Sequence, residues 1–208
     1  MSEHSVSPAR ILVGVTGASG AIYARRVIEL LCRGGVEVHV IASDYGRRLF
    51  AEELGINRLD PEVLCPGCAD LITIHSGRDL GADCASGSFV HDGMIVVPCS
   101  SNSLTKISLG ITDTLVQRAA MVTLKERRRL VIAHRESPIG RTEIESMQRV
   151  TEAGAIVAPL SPGFYLAPTS IDELVDFMAA RLLDLVGVEH GLAVRWDEHR
   201  QEQKERSG

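Results

Sequence analysis

Gly14-Val15-Thr16-Gly17-Ala18-Ser19-Gly20 follows the apolar run Ile11 to Val15 and leads into the helix-compatible stretch Ala21 to Cys32. A short apolar run, a glycine-punctuated turn and an amphipathic segment read as strand, turn and helix. Gly34-Gly35 stops that helix, and Val36 to Ala42, rich in β-branched residues, returns as a second strand. So short a link implies a right-handed parallel crossover. Tyr45 to Leu54 continues as another helix.

Outward from this unit the pattern first weakens. Between Gly55 and Gly93, glycine and proline punctuation leaves one short strand, Leu71 to His75. Regularity resumes with a strand at Met94 to Val97, a helix from about Ser103, a helix over Leu115 to Arg128 and a strand at Leu130 to Ala133. A helix at Glu143 to Ala153, a strand at Ala155 to Ala158 and a helix at Ile171 to Val186 follow. Continuously apolar strands that alternate with helices predict a three-layer α/β/α sandwich, Rossmann-like (flavodoxin-like), with a mostly parallel sheet. Residues 1–9 read as an extended or disordered N-terminus, 10–190 as one domain, and 191–208 as a tail whose polar end, Glu198 to Gly208, is expected to fray.

A chain of 208 residues, 45% hydrophobic, can close a full core. Its net charge of -5 excludes a general attraction to nucleic acid or anionic lipid, so any bound anion is held locally. No apolar run approaches the roughly 20 residues that cross a bilayer, and residues 1–10 lack a signal peptide's pattern, which predicts a cytoplasmic protein. The five cysteines, an odd number, read most simply as reduced thiols. Cys65-Pro66-Gly67-Cys68 suits a redox pair or half a zinc site, yet no second CxxC or paired histidine follows, and no metal site is expected.

Ligands of such sheets bind beyond the carboxyl ends of the strands. The opening turn lets backbone N–H groups approach an anion at a helix N-terminus, and Ser19 adds a hydroxyl. Its spacing departs from GxGxxG, and Ser43 stands where a ribose-binding acid would, which argues against NAD. Pro98-Cys99-Ser100-Ser101-Asn102-Ser103 opens a second helix with small polar residues, suited to a phosphate or simply to capping. His134-Arg135-Glu136-Ser137-Pro138 sets a cation beside a carboxylate, and Pro159-Leu160-Ser161-Pro162-Gly163-Phe164-Tyr165 presents two aromatics. Ala85-Ser86-Gly87-Ser88-Phe89 admits close backbone approach. GxSxG, Walker and HExxH signatures are absent.

These segments, in this order, resemble the UbiX-type flavin prenyltransferases, of the UbiX/Pad family and the wider flavoprotein superfamily. The likeness runs from about Arg10 to Trp196 and is carried also by Arg118-Ala119-Ala120, Leu124-Lys125-Glu126-Arg127-Arg128 and Arg195-Trp196. It implies a transferase that joins the dimethylallyl group of dimethylallyl phosphate to N5 and C6 of reduced FMN. The product, prenylated FMN, would pass to a UbiD-type decarboxylase. The resemblance assigns FMN contacts to Gly17, Ala18, Ser19, Ser43, Ser100, Ser101, Asn102, Ser103, Arg118 and Arg135. It assigns the prenyl phosphate to Lys125, Tyr165 and Arg181, with Trp196 as a π-face, and proton transfer to Ser19, Glu53 and Glu136. Lys125 also counts as catalytic, stabilising the leaving group. A homo-oligomer, trimer-based and dodecameric, is implied.

Thr114, Met121 and the stretch Leu64 to Cys68 depart from the family pattern. Two other readings stay open. One is an FMN-dependent decarboxylase of the cysteine-peptide or phosphopantothenoylcysteine type, whose Met-Asn clamp is not found here. The other is a non-catalytic FMN-binding partner of a decarboxylase.

Overall fold

The computed structural model describes residues 9–192. All but Ala9 of the expected N-terminal segment 1–9, together with Arg195, Trp196 and the polar end of the tail, lies outside the described residues. The elements are β1 (Arg10–Val15), α1 (Ala21–Arg33), β2 (Glu37–Ala42), α2 (Asp44–Leu54), α3 (Pro61–Leu64), β3 (Ile72–Ser76) and β4 (Gly93–Cys99). Then come α4 (Ser101–Ser108), α5 (Leu115–Lys125), β5 (Arg129–His134), α6 (Arg141–Glu152), β6 (Ile156–Val157) and α7 (Ile171–Val186).

The six strands form one sheet in the order β3-β2-β1-β4-β5-β6, and every pairing is parallel. The predicted sandwich is thus present. Successive residues of β1 point to opposite faces: Ile11, Val13 and Val15 pack with α1 and α7, while Leu12 packs with α4 and α5. Both faces are dry, each fully buried aliphatic side chain contributing roughly 1.5–3 kcal/mol. The chain reverses its direction of travel across the sheet at β1 and β4, which opens a crevice above their carboxyl ends.

Three boundaries differ from expectation for local reasons. α5 stops at Lys125 rather than Arg128 because Arg127 turns left-handed, with φ 57°. Arg127 N–H and Arg128 N–H then close back on Leu124 O and Thr123 O at 3.0 and 2.9 Å, a Schellman ending made without glycine. β4 runs on through Pro98 to Cys99, with its register against β5 broken between Val96 and Cys99, the irregularity at which a strand tolerates proline. The edge strand β6 keeps only two residues. Glycine and proline punctuation also hid α3 and two 3-10 turns, Ala69–Leu71 and Asp83–Ala85.

Candidate active site at the carboxyl edge of the sheet

Thr16 joins the two strands that flank the crevice. It is buried; its Oγ1 donates to Pro98 O at 2.9 Å and accepts from Ser100 N–H at 2.8 Å, while its own N–H reaches Pro98 O at 3.2 Å. Sequence reasoning read Thr16 only as a member of the turn. Its role depends on β4, more than 80 residues away, and has no local signature.

The starts of α1, α2 and α4 along this edge are each closed by a serine or a carboxylate. Ser43 Oγ accepts Gly46 N–H at 3.0 Å at the start of α2, and Ser100 Oγ accepts Ser103 N–H at 3.3 Å at the start of α4. Ser100 also donates to Ser103 Oγ at 3.2 Å. At α1 the arrangement differs from the expected anion seat. The Glu53 carboxylate, from the last turn of α2, accepts Gly20 N–H at 3.2 and 3.0 Å and Ala21 N–H at 2.8 Å. The negative charge at the positive end of α1 is therefore the chain's own.

Between these starts lies a cavity of about 460 Å³, lined by Thr16, Gly17, Ser43, Tyr45, Ser100, Asn102, Ser103 and Gln117 among others. Gly17 fits against the neighbouring helix only without a side chain, since a Cβ there would sit 2.6 Å from Tyr45 Cβ. Gln117, buried at the start of α5, hydrogen-bonds Thr114 and gives the wall an amide that the sequence reading did not single out. Lys106, paired with Asp113 at 2.7 Å, borders the same space.

Beside the turn stands the ledge that follows β5. Arg135 Nε donates to Ser19 O at 3.2 Å, bringing this pair of candidates together. Ser101 Oγ donates to Glu136 Oε2 at 3.2 Å and lies 3.2 Å from His134 Nε2. Burial lowers the His134 pKa, favouring a neutral ring behind the exposed Glu136 carboxylate.

A third group runs down α7. Tyr165 packs edge-on against Phe177, ring centroids 5.5 Å apart. Arg181 lies one turn beyond Phe177 and pairs with Asp184 at 3.2 Å. Gly163 makes room for this packing: a Cβ there would approach Tyr165 Cε1 to 2.8 Å. Phe177, an unremarked helix position in the sequence, supplies the ring against which Tyr165 packs, one helical turn before Arg181.

Other candidates lie apart. α5 starts at the carboxyl edge, where Leu115 N–H reaches Gly77 O, and runs back to the amino edge, where β5 begins. Eleven residues at 1.5 Å each carry its end about 16 Å away. Lys125 therefore stands at the edge opposite Glu136, exposed and 3.5 Å from Glu126 Oε1. Arg118 lies partway along, its Nε donating to Ala85 O at 3.2 Å, and shares a groove of about 280 Å³ with Lys125. The Ser86 to Phe89 segment is fastened near the far end of α5, where Arg128 donates to Gly87 O and Phe89 O at 2.9 and 2.7 Å.

The model of the family described as Flavoprotein matches residues 1–183. The chain is 42% identical to the flavin prenyltransferase UbiX of Thermoplasma acidophilum, over 90% of this chain and 99% of the relative. Its fold is similar to that of AnUbiX (PadA1), solved in complex with FMN and dimethylallyl pyrophosphate, with a TM-score of 0.80 and 39% identity. That match covers 88% of this chain and 94% of the other. The dodecameric FMN-dependent UbiX-like decarboxylase of Escherichia coli O157:H7 matches with a TM-score of 0.80 and 36% identity, covering 90% and 98%.

Proposed function

Because the chain belongs to the flavoprotein family and, within it, to the UbiX flavin prenyltransferases, we infer that it transfers a dimethylallyl group to reduced FMN and releases prenylated FMN. The observation that carries this reading is the hydroxyl-lined cavity at the β1 and β4 crossing, flanked by the Arg135 and Glu136 ledge.

FMN suits the residues present. About 460 Å³ lies within the range of small-molecule sites. Ser43, Ser100, Asn102 and Ser103 offer donors for a ribityl phosphate, and the start of α4 is its seat, because Glu53 already occupies the start of α1. Gly17 and Ala18 give close backbone approach, and Arg135 adds a charge beside Ser19. Reduced FMN, when bound, supplies the nucleophilic ring atoms. Glu136, with Ser101 donating to it, is placed to accept a proton from the ligand, with Ser19 on the other side of the ledge. Glu53 holds the turn that carries Ser19 and acts as a positioning residue. Tyr165 offers a π-face to an allylic cation and Arg181 a positive charge to the departing phosphate, with Trp196 assigned to the same task.

Lys125 completes the site only if it comes from another copy of the chain, since within one chain it faces the opposite edge from Glu136, and Arg118, which shares its groove, is assigned with it. A homo-oligomer with sites at its junctions, trimer-based and dodecameric, satisfies this. We also propose dimethylallyl phosphate as the donor, the cytoplasm as the location and a UbiD-type decarboxylase as the consumer of the product. Among the described residues no helix is long and apolar enough to cross a membrane.

The test is anaerobic incubation with reduced FMN and dimethylallyl phosphate or pyrophosphate, followed by mass analysis of the flavin. A flavin heavier by one prenyl unit is expected. Unchanged flavin with both donors overturns the assignment.

A further inference from the structure

The Cys65 to Cys68 stretch lies outside the site assigned to prenyl transfer, and its fold brings two free thiols to the ends of one tight turn. Cys68 N–H donates to Cys65 O at 3.1 Å, which closes a four-residue turn. Pro66 stands at its second position and Gly67, with φ 79°, at its third, the pattern of a type II turn. Such a turn brings its end Cα atoms within about 7 Å, and a disulfide spans Cα separations of roughly 4.4–6.8 Å. Pro66 and Gly67 are exposed, Cys68 is half-buried at the rim and Cys65 is buried beneath it. A third thiol, Cys32 of α1, lies beside Cys65 in the same core cluster. All three sit at the amino edge of the sheet, remote from the flavin cavity.

We propose that Cys65 and Cys68 form an oxidisable dithiol, a site at which the chain reduces a hydroperoxide and closes a reversible disulfide. Cys68, the member at the rim, attacks one peroxide oxygen as its thiolate. The O–O bond breaks, an alcohol or water leaves, and Cys68 becomes a sulfenic acid. Cys65 then attacks that sulfur. The S–S bond forms as the S–O bond breaks, and the departing hydroxide takes the Cys65 proton to become water. In sum, two thiols and one hydroperoxide give one disulfide, one alcohol and one water. The preformed turn favours Cys68 over Cys32 as the partner of Cys65, because Cys32 is fixed within a helix. Cys68 is the point of attack because it is the one of the three that solvent reaches, while burial raises the thiols of Cys65 and, to about 12, of Cys32.

The experiment treats the full-length, FMN-loaded protein with stoichiometric hydrogen peroxide, alkylates free thiols and digests with trypsin. Leu59 to Arg78 is released as one peptide holding Cys65 and Cys68 alone, while Cys32 leaves in Val27 to Arg33. The expected result is a Leu59 to Arg78 peptide two hydrogens lighter, resistant to alkylation and restored by dithiothreitol. It should form at least about tenfold faster than oxidation of Cys84 or Cys99, which burial makes poor thiolates. Cys68→Ser should abolish the product, Cys32→Ser should leave it, and prenyl transfer should be unchanged in both. A link from Cys65 to the Cys32 peptide, a rate no greater than that of Cys84, or sulfinic acid at Cys68 without a disulfide would each overturn the proposal.

Discussion

Replacing Glu53 separates two roles that the structure joins in one carboxylate. Its oxygens receive the N–H groups of Gly20 and Ala21 at 2.8–3.2 Å, at the positive end of α1. Loss of a cap costs about 1 kcal/mol, and loss of a negative charge from a helix start costs about 0.3–1 kcal/mol more. Gly20 and Ala21 are buried, but the Glu53 side chain that covers their N–H groups is exposed, so its removal admits water to them and the larger penalty for buried orphan donors does not apply. Glu53→Ala should therefore cost about 1.5–2 kcal/mol, and Glu53→Gln, which keeps one acceptor oxygen, about 0.5–1 kcal/mol. For a chain of this size 1 kcal/mol moves the melting temperature by about 2–4 °C, so Glu53→Ala should melt about 5 °C lower. Thermal unfolding followed by circular dichroism measures this, with flavin titration and turnover measured on the same samples. A positioning role predicts that Glu53→Gln retains at least about a third of the turnover, in step with its stability. Parental melting of Glu53→Ala would refute the capping argument. A stable Glu53→Gln that loses prenyl transfer by about a hundredfold would show direct proton transfer instead.

Other consequences can be checked as directly. Lys125→Ala and Glu136→Ala should each be inactive, but a randomly mixed oligomer of the two should regain about a quarter of parental turnover, because half the sites receive an intact Lys125 and half of those an intact Glu136. Recovery of none would place both residues in one chain. Gly163→Ala should push the Tyr165 ring off Phe177. Since the far end of a ring gives way, the melting temperature should hold while KM for the allylic phosphate rises about tenfold, read from initial rates over donor concentration. Folding should also weaken in acid through His91, whose pKa burial lowers from 6.5 to about 4. The unfolded chain takes up this proton below pH 6.5 and the folded chain only near 4, so stability present above 6.5 is lost as pH falls through that window. The full difference is about 3 kcal/mol, or about 2 kcal/mol where solvent reaches the edge of the ring, and His91→Leu should flatten that slope in urea unfolding.

The order of the main elements was legible because β1 and β4 to β6 are apolar runs and the long helices are bounded by glycine or polar residues, signals carried within a few residues. The same local chemistry marked Ser43, Ser100 and the Arg135 and Glu136 pair, since caps and post-strand residues are known from their immediate neighbours. The stretch from Gly55 to Gly93 resisted reading because its turns rest on glycine and proline, which punctuate without saying what they separate.

The opening turn shows where sequence ceases to decide. Its glycines determine that a strand passes into a helix through close backbone contacts, and this holds wherever the turn sits. Whether its N–H groups face a ligand or a side chain depends on which element arrives at that edge. Folding brings Glu53 there from the far end of α2, because β1 and β2 are neighbours and α2 packs beside α1. It likewise brings Thr16 to Pro98 and sends Lys125 to the opposite edge. Sequence settles local conformation through short-range sterics and hydrogen bonds, whereas the company a charge keeps across tens of residues is set only by the topology of the sheet.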